Sequence, residues 1–226
     1  MNILGIGIAT LDVINEVVTY PREDAEVRTV GQRLMRGGNV TNTLVVLSQL
    51  GHRCAWAGTL ADDMASDLIL RDLGAHQIDT TRAVRCPGTA TPTSYITLSR
   101  TTGSRTIVHH RDLPELTASR FQGQGLEQQD WVHLEGRNPE QTRQIIEMIR
   151  RLRPGLPLSI EIEKPRTGIE MLLSDANLLF FSHAFASAMG FDNPRRFPSE
   201  YPLSGPPAVC LDGGPMVPIC ANAMAA

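Results

Sequence analysis

The stretch MRGGNVTNT, Met35 to Thr43, runs directly into LVVLSQLG, an apolar run closed by Gly51. Two glycines therefore open a helix that carries two asparagines three residues apart, Asn39 and Asn42. Glycine lets a backbone approach a ligand closely, and a carboxamide both donates and accepts hydrogen bonds, as a hydroxyl does. Such a lining suits a polyol. A glycine turn followed by an Asn helix cap accounts for the same residues by spacing alone.

Upstream, NILGIGIA (residues 2–9) is an apolar run broken by glycines and reads as a buried strand, with Asp12 at its carboxyl end. In a parallel sheet that end is the usual ligand edge, where a carboxylate can accept from neighbouring hydroxyls. DVINEVV and VRTVGQRL alternate like half-exposed strands around the turn TYPRED. Downstream, RCAWAGTL reads as a core strand and DDMASDLILRDLG as a helix with an acidic first turn and a glycine at its end. This βαβ rhythm predicts a mostly parallel sheet covered by helices.

TPTSYITLS and RTIVHHR form a second alternating pair around RTTGS. The two pairs, about residues 12–34 and 91–111, predict a small separate sheet that sits on the α/β body as a lid. The rhythm then resumes with DWVHLEG, the amphipathic helix NPEQTRQIIEMIRRL, LPLSIEIE, the short helix GIEMLLSD, NLLFFS and the helix HAFASAMG. From Phe191 onward lie seven of the fifteen prolines, and neither period persists. That composition predicts a body over residues 1–192 and a loop or disordered tail over 193–226.

A chain of 226 residues with 42% hydrophobic content can bury a sizeable core. With 21 basic and 24 acidic residues and no basic run, neither a nucleic-acid nor a membrane-surface face is visible, so small molecules are the expected partners. Cys54, Cys86, Cys210 and Cys220 form no CxxC pair, and the N-terminus lacks the features of a signal peptide. A cytoplasmic protein with reduced thiols is expected. Lys164 is the only lysine among the 21 basic residues, which draws attention to a compact point charge after the strand SIEIE.

The blocks LDVINEVVTYPREDAEVRTVGQRLMRGGNVTN, GSRTIVHHRDLPELTASRF, WVHLEGRN and EIEKPR resemble, in the same order, blocks of the ribokinase-like (PfkB) carbohydrate kinases. The resemblance is closest to their fructose-phosphorylating members and spans Asn2 to about Asp192. It implies a three-layer α/β sandwich with a mostly parallel sheet and a β lid, and homodimers in which two lids clasp. It further implies phosphorylation of a ketose such as fructose at its 1-hydroxyl, with ATP and Mg as cofactors. By this resemblance Asp12, Gly38, Asn39 and Asn42 match sugar-binding positions, and Arg105 matches a lid arginine beside the sugar and the transferred phosphate. Lys164 would face the nucleotide phosphates. Val40 stands where the family pattern prefers a smaller residue.

Other polar residues invite plainer readings. Glu135 and Arg137 in HLEGRN read as a structural ion pair or turn. His109 and His110 read as surface or dimer residues, and His133 as a core histidine.

The departure from the family lies in the last quarter. There these kinases carry a GAGD element, whose glycine amides form an anion hole and whose aspartate takes the sugar hydroxyl proton. No such element occurs in these 226 residues. Asp212 in CLDGGP is rejected as a base because its glycines follow the acid and Pro215 interrupts the amides. PAVC at 207–210 resembles the start of the next family strand, after which the similarity ends. The expectation is a truncated or frameshifted kinase with the C-terminal part of the fold missing and with little or no turnover. The alternative is a non-catalytic sugar-binding or dimerisation module.

Overall fold

The computed structural model describes residues 1–123, 125–191, 193, 196–197, 208–212 and 218–221. The chain begins with β1 (Asn2–Ile6), β2 (Thr10–Val17), β3 (Gly31–Gly37) and α1 (Asn39–Gln49). There follow β4 (Arg53–Ala57), β5 (Thr59–Leu60), α2 (Met64–Ala75), β6 (Val84–Arg85), β7 (Thr93–Ser99) and β8 (Arg105–His110). The next elements are α3 (Ala118–Phe121), β9 (Trp131–Glu135), α4 (Pro139–Leu152), β10 (Leu158–Ile162), β11 (Leu178–Phe181) and α5 (His183–Ala188). Strands β12 (Ala208–Asp212) and β13 (Pro218–Ala221) complete the described elements.

The main sheet has the order β13-β12-β11-β10-β9-β1-β4, and every pair but β12-β13 is parallel. Side-chain alternation divides it into two cores. Leu4, Ile6, Val132, Leu134, Leu158, Ile160, Leu179 and Phe181 point to one face, where they pack with Ile145, Ile146 and Ile149 of α4. Ile3, Cys54 and Trp56 point to the other and meet Val40 and Leu44 of α1 and Ile69 and Leu73 of α2. Helices thus lie on both faces, as the βαβ rhythm predicts. Helix α4 starts where Pro139 occupies its first turn and the Asn138 side chain accepts the Gln141 amide hydrogen.

The predicted lid is also present. β3-β2-β7-β8 form a separate sheet in which only the β2-β7 pair is parallel. It is tied to the body through Asp63, the cap of α2, whose carboxylate accepts the amide hydrogens of Ser66 and Thr91, each at 2.8 Å. Thr91 lies two residues before β7, so the helix cap also fixes the root of the second hairpin.

Several boundaries differ from the sequence reading. Asp12 is not at the carboxyl end of β1 but inside the lid strand β2, because the chain leaves the main sheet at Gly7. Strand β3 begins only at Gly31 and runs into the double glycine. GIEMLLSD contributes one 3₁₀ turn, Ile169–Leu172, in place of a helix. In the proline-rich tail, β12 continues the parallel ladder beside β11 and β13 returns antiparallel, so a loop is the wrong description of 208–212 and 218–221. The reading of PAVC as the start of a strand agrees with β12. Cys210 is disulfide-bonded, which corrects the expectation of reduced thiols there, while Cys54 and Cys86 are free.

Candidate functional site

The double glycine joins the lid to the body. Gly38 has φ +107°, a conformation that L side chains rarely adopt, and a Cβ there would collide with the Ile8 carbonyl. A Cβ on Gly37 would collide with the Asp12 carboxylate and the Thr10 hydroxyl. Asp12 therefore lies directly against bare backbone at the entrance to α1. Thr10 Oγ1 donates to Asp12 Oδ1 at 3.2 Å and helps fix the carboxylate.

Gly38 occupies the N-cap position of α1 and has no side chain to cap it. The missing acceptor comes from another strand. Glu135, at the end of β9, is buried, and its Oε1 accepts the Val40 amide hydrogen at 2.9 Å while its Oε2 accepts that of Ile8 at 3.2 Å. A carboxylate here meets the positive end of the helix dipole as well as two backbone donors. Burial nevertheless raises the Glu135 pKa above the usual carboxylate value, against the opposing pull of the Val40 amide and Arg137. The Arg137 guanidinium lies 3.7 Å from Glu135 and 3.8 Å from Glu163.

Beside Glu135, in register across β9 and β10, lies Glu161. Its pKa is raised to about 8, first by burial and then by the charges of Glu135 and Glu163, with the Asn39 carboxamide and Arg137 acting the other way. Asn39, Glu135, Gly136, Arg137, Glu161, Glu163 and Arg166 line one cleft at the carboxyl edge of the sheet. Asn42 lies one turn further along α1, where its Oδ1 accepts from Arg36 Nη1 at 2.8 Å.

On the lid, Asp12, Ser94 and His109 stand in one row across β2, β7 and β8, so their side chains share a face. Ser94 Oγ and His109 Nδ1 are 3.2 Å apart. Burial, followed by the charges of Arg137 and Arg111, lowers the His109 pKa, and Asp12 opposes this. Arg105 is on the same face but at the far end of β8, opposite Leu98. Four residues of strand set its level about 13 Å from that of Asp12. Lys164 follows β10 and is exposed, with Nζ 3.6 Å from Glu163 Oε1.

A pattern described as "pfkB family carbohydrate kinase" matches residues 2–189. The chain belongs to the pfkB family of carbohydrate kinases. Mouse (Mus musculus) ketohexokinase is 36% identical over 196 residues, which make up 84% of this chain and 66% of that relative. The chain therefore spans just under two thirds of that relative's length. Ribokinase from Thermotoga maritima superposes with a TM-score of 0.75 at 18% identity, covering 99% of this chain and 75% of its own. Ribokinase from Arabidopsis thaliana, solved with ribose and ATP, gives 0.69 at 15% identity, covering 99% and 78%. These likenesses show that the fold is ribokinase-like.

In this pfkB-family chain Asp12 lies against Gly37 at the lid-to-helix turn, Gly38 is the cap residue of α1, and Asn42 follows in the first turns of that helix. Asn39 shares the edge cleft with Glu161, Arg105 is not beside Asp12, and Lys164 stands at the rim of the sheet edge. The sequence reading of Glu135 and Arg137 as an ion pair agrees with their contact but misses the cap that Glu135 supplies to α1. His109, read as a surface or dimer residue, is exposed as expected, and the reading missed only that it stands in the Asp12 row. A register count along the two hairpins could have found it. No local signal identifies Arg36, Glu161 or Arg166, because their roles depend on contacts between distant segments.

Proposed function

We propose that the chain holds a ketose such as fructose at the Gly37–Gly38 turn and belongs to an ATP-dependent kinase that phosphorylates the sugar's 1-hydroxyl. One observation carries this reading: the Asp12 carboxylate lies against the turn that opens α1, and Asn42 projects from the first turns of that same helix. A carboxylate only accepts hydrogen bonds, whereas a carboxamide also donates. Together they suit hydroxyl groups, which do both. The mouse relative's name supports a ketohexose as the substrate.

Arg137, Lys164 and Arg166 supply cations at the sheet edge that fit nucleotide phosphates, with Lys164 the most accessible of the three. Arg105 is proposed to reach the phosphate from the lid, which requires the lid to move toward the sheet edge. Among the described residues no group of three His, Cys, Asp or Glu is arranged to hold a metal. Magnesium would enter with the nucleotide phosphates, a mode that needs few protein ligands. When bound, ATP and its magnesium supply the phosphoryl group. Asp12 and the turn hold the acceptor sugar.

The 226 residues contain no GAGD element. A general base contributes about 10²–10⁴ in rate and an anion hole about 10²–10³. We therefore propose that this polypeptide alone binds the sugar and turns it over little or not at all. An ADP-release assay with fructose, ATP and magnesium, run beside a calorimetric fructose titration, tests both halves. Saturable binding with turnover near background is expected. Rapid turnover would refute the second half, and a folded chain that binds no sugar would refute the first.

A second reading, dimerisation through the lid, rests on its exposed apolar residues. Leu34, Tyr95 and Val108 are exposed in one row on the lid face turned away from the Asp12 row, and the last strand, β8, is exposed throughout. A second copy's lid would cover them.

A further inference from the structure

Arg36 is the last charged residue of β3 before the double glycine, and its side chain is only 8% exposed. A buried guanidinium needs partners for its donors. Nε donates to Asp72 Oδ2 of α2 at 2.5 Å. Nη1 donates to Thr41 Oγ1 at 2.9 Å and to Asn42 Oδ1 at 2.8 Å. Thr41 Oγ1 in turn lies 2.9 Å from the Gly37 carbonyl and 3.0 Å from that of Gly38. One cation thus joins α2, the glycine turn and the first turns of α1.

The contact decides which way the Asn42 amide points. Guanidinium has donors and no acceptor, so the Asn42 atom it touches must be the carbonyl oxygen. Nδ2, which donates to no described residue, is left for a ligand. We propose that Arg36, anchored by Asp72, is a positioning residue that locks Asn42 as a hydrogen-bond donor at the helix entrance, while Asp12, an obligate acceptor, lies against the glycine turn that precedes it. This rests on the sugar-binding reading above and deepens it. Donor and acceptor are assigned to separate side chains, so the site selects a ligand whose adjacent oxygens are hydroxyls. Without Arg36 the carboxamide can rotate and present its oxygen, which repels ligand lone pairs and removes the donor.

The test is a calorimetric fructose titration of the full chain and of Arg36→Ala, Asn42→Ala and the double variant. Arg36→Ala and Asn42→Ala are each expected to raise Kd about five- to tenfold, with the double variant no worse than Asn42→Ala. A merely structural arginine would weaken binding by the same factor in both backgrounds, and that result overturns the proposal, as does an unchanged Kd in Arg36→Ala. Asp72→Asn, at a half-exposed position, serves if Arg36→Ala does not fold, and should raise Kd about two- to fivefold only when Asn42 is present. The side-chain amide resonances of Asn42, assigned by their loss in Asn42→Ala, report the lock without any sugar. Their displacement in the Arg36 or Asp72 variant supports the proposal even if fructose does not bind, an outcome that refutes the sugar reading alone. Unmoved resonances overturn it.

Discussion

The Glu135 carboxylate at the end of β9 accepts the Val40 amide hydrogen at 2.9 Å and so caps a helix 95 residues earlier in the chain. It replaces the capping side chain that Gly38 lacks, and it also takes the Ile8 amide hydrogen at the exit of β1. Glu135→Ala leaves both buried donors without their acceptor. The expected loss is about 2–4 kcal/mol of unfolding free energy in urea. Glu135→Gln keeps an acceptor and should lose about half as much, whereas equal losses would argue against the capping role.

Gly38→Ala tests the turn itself. The left-handed φ and the collision with the Ile8 carbonyl are both costs of adding one methyl group. A loss of about 1–3 kcal/mol is expected in the same urea experiment. Gly51→Ala, where φ is also positive but a Cβ meets open space, is the control and should cost less.

Glu161 makes stability depend on pH. Its folded pKa of about 8 lies above the ordinary 4.5, so the folded chain binds more protons than the unfolded chain between these values. Stability attributable to this group is present below pH 4.5 and is lost as pH rises toward 8. Glu161→Gln should remove that slope, so its advantage over the unaltered chain grows with pH by up to about 1.4 kcal/mol per unit. His133 has the opposite sign. Buried with its pKa lowered to about 4, it loses stability as pH falls from 6.5 toward 4. Urea unfolding at a series of pH values, with and without Glu161→Gln, separates the two.

The lid predicts an association equilibrium. Light scattering after size-exclusion chromatography should find twice the chain mass, and Val108→Asp on β8 should return it to one. A monomer at all concentrations would exclude the lid interface.

The fold was legible where burial imposes a period. In β1 and β9 and along α4, alternating or helical apolar residues follow from packing against two helical layers, and the double glycine marked the opening of α1 directly. Asp12 was read as ending the first strand as well as starting the lid pair, and only the second holds, because the sequence does not show that the chain quits the main sheet at Gly7, five residues earlier. The tail misled for a related reason: proline content argues against regular structure, yet a strand of four or five residues needs only one neighbouring edge, and β11 offers it to β12. Arg36 drew no reading from the sequence. Its meaning comes from Asp72, 36 residues away, and no local pattern carries that contact.

The most direct measurement is a calorimetric titration of the chain with fructose, repeated on Asp12→Ala. The account predicts saturable binding to the unaltered chain and a loss of at least about tenfold in the variant, since a charged acceptor of sugar hydroxyls is removed. Equal affinity for the two, or no binding by a chain shown to be folded, would contradict a sugar site at the glycine turn.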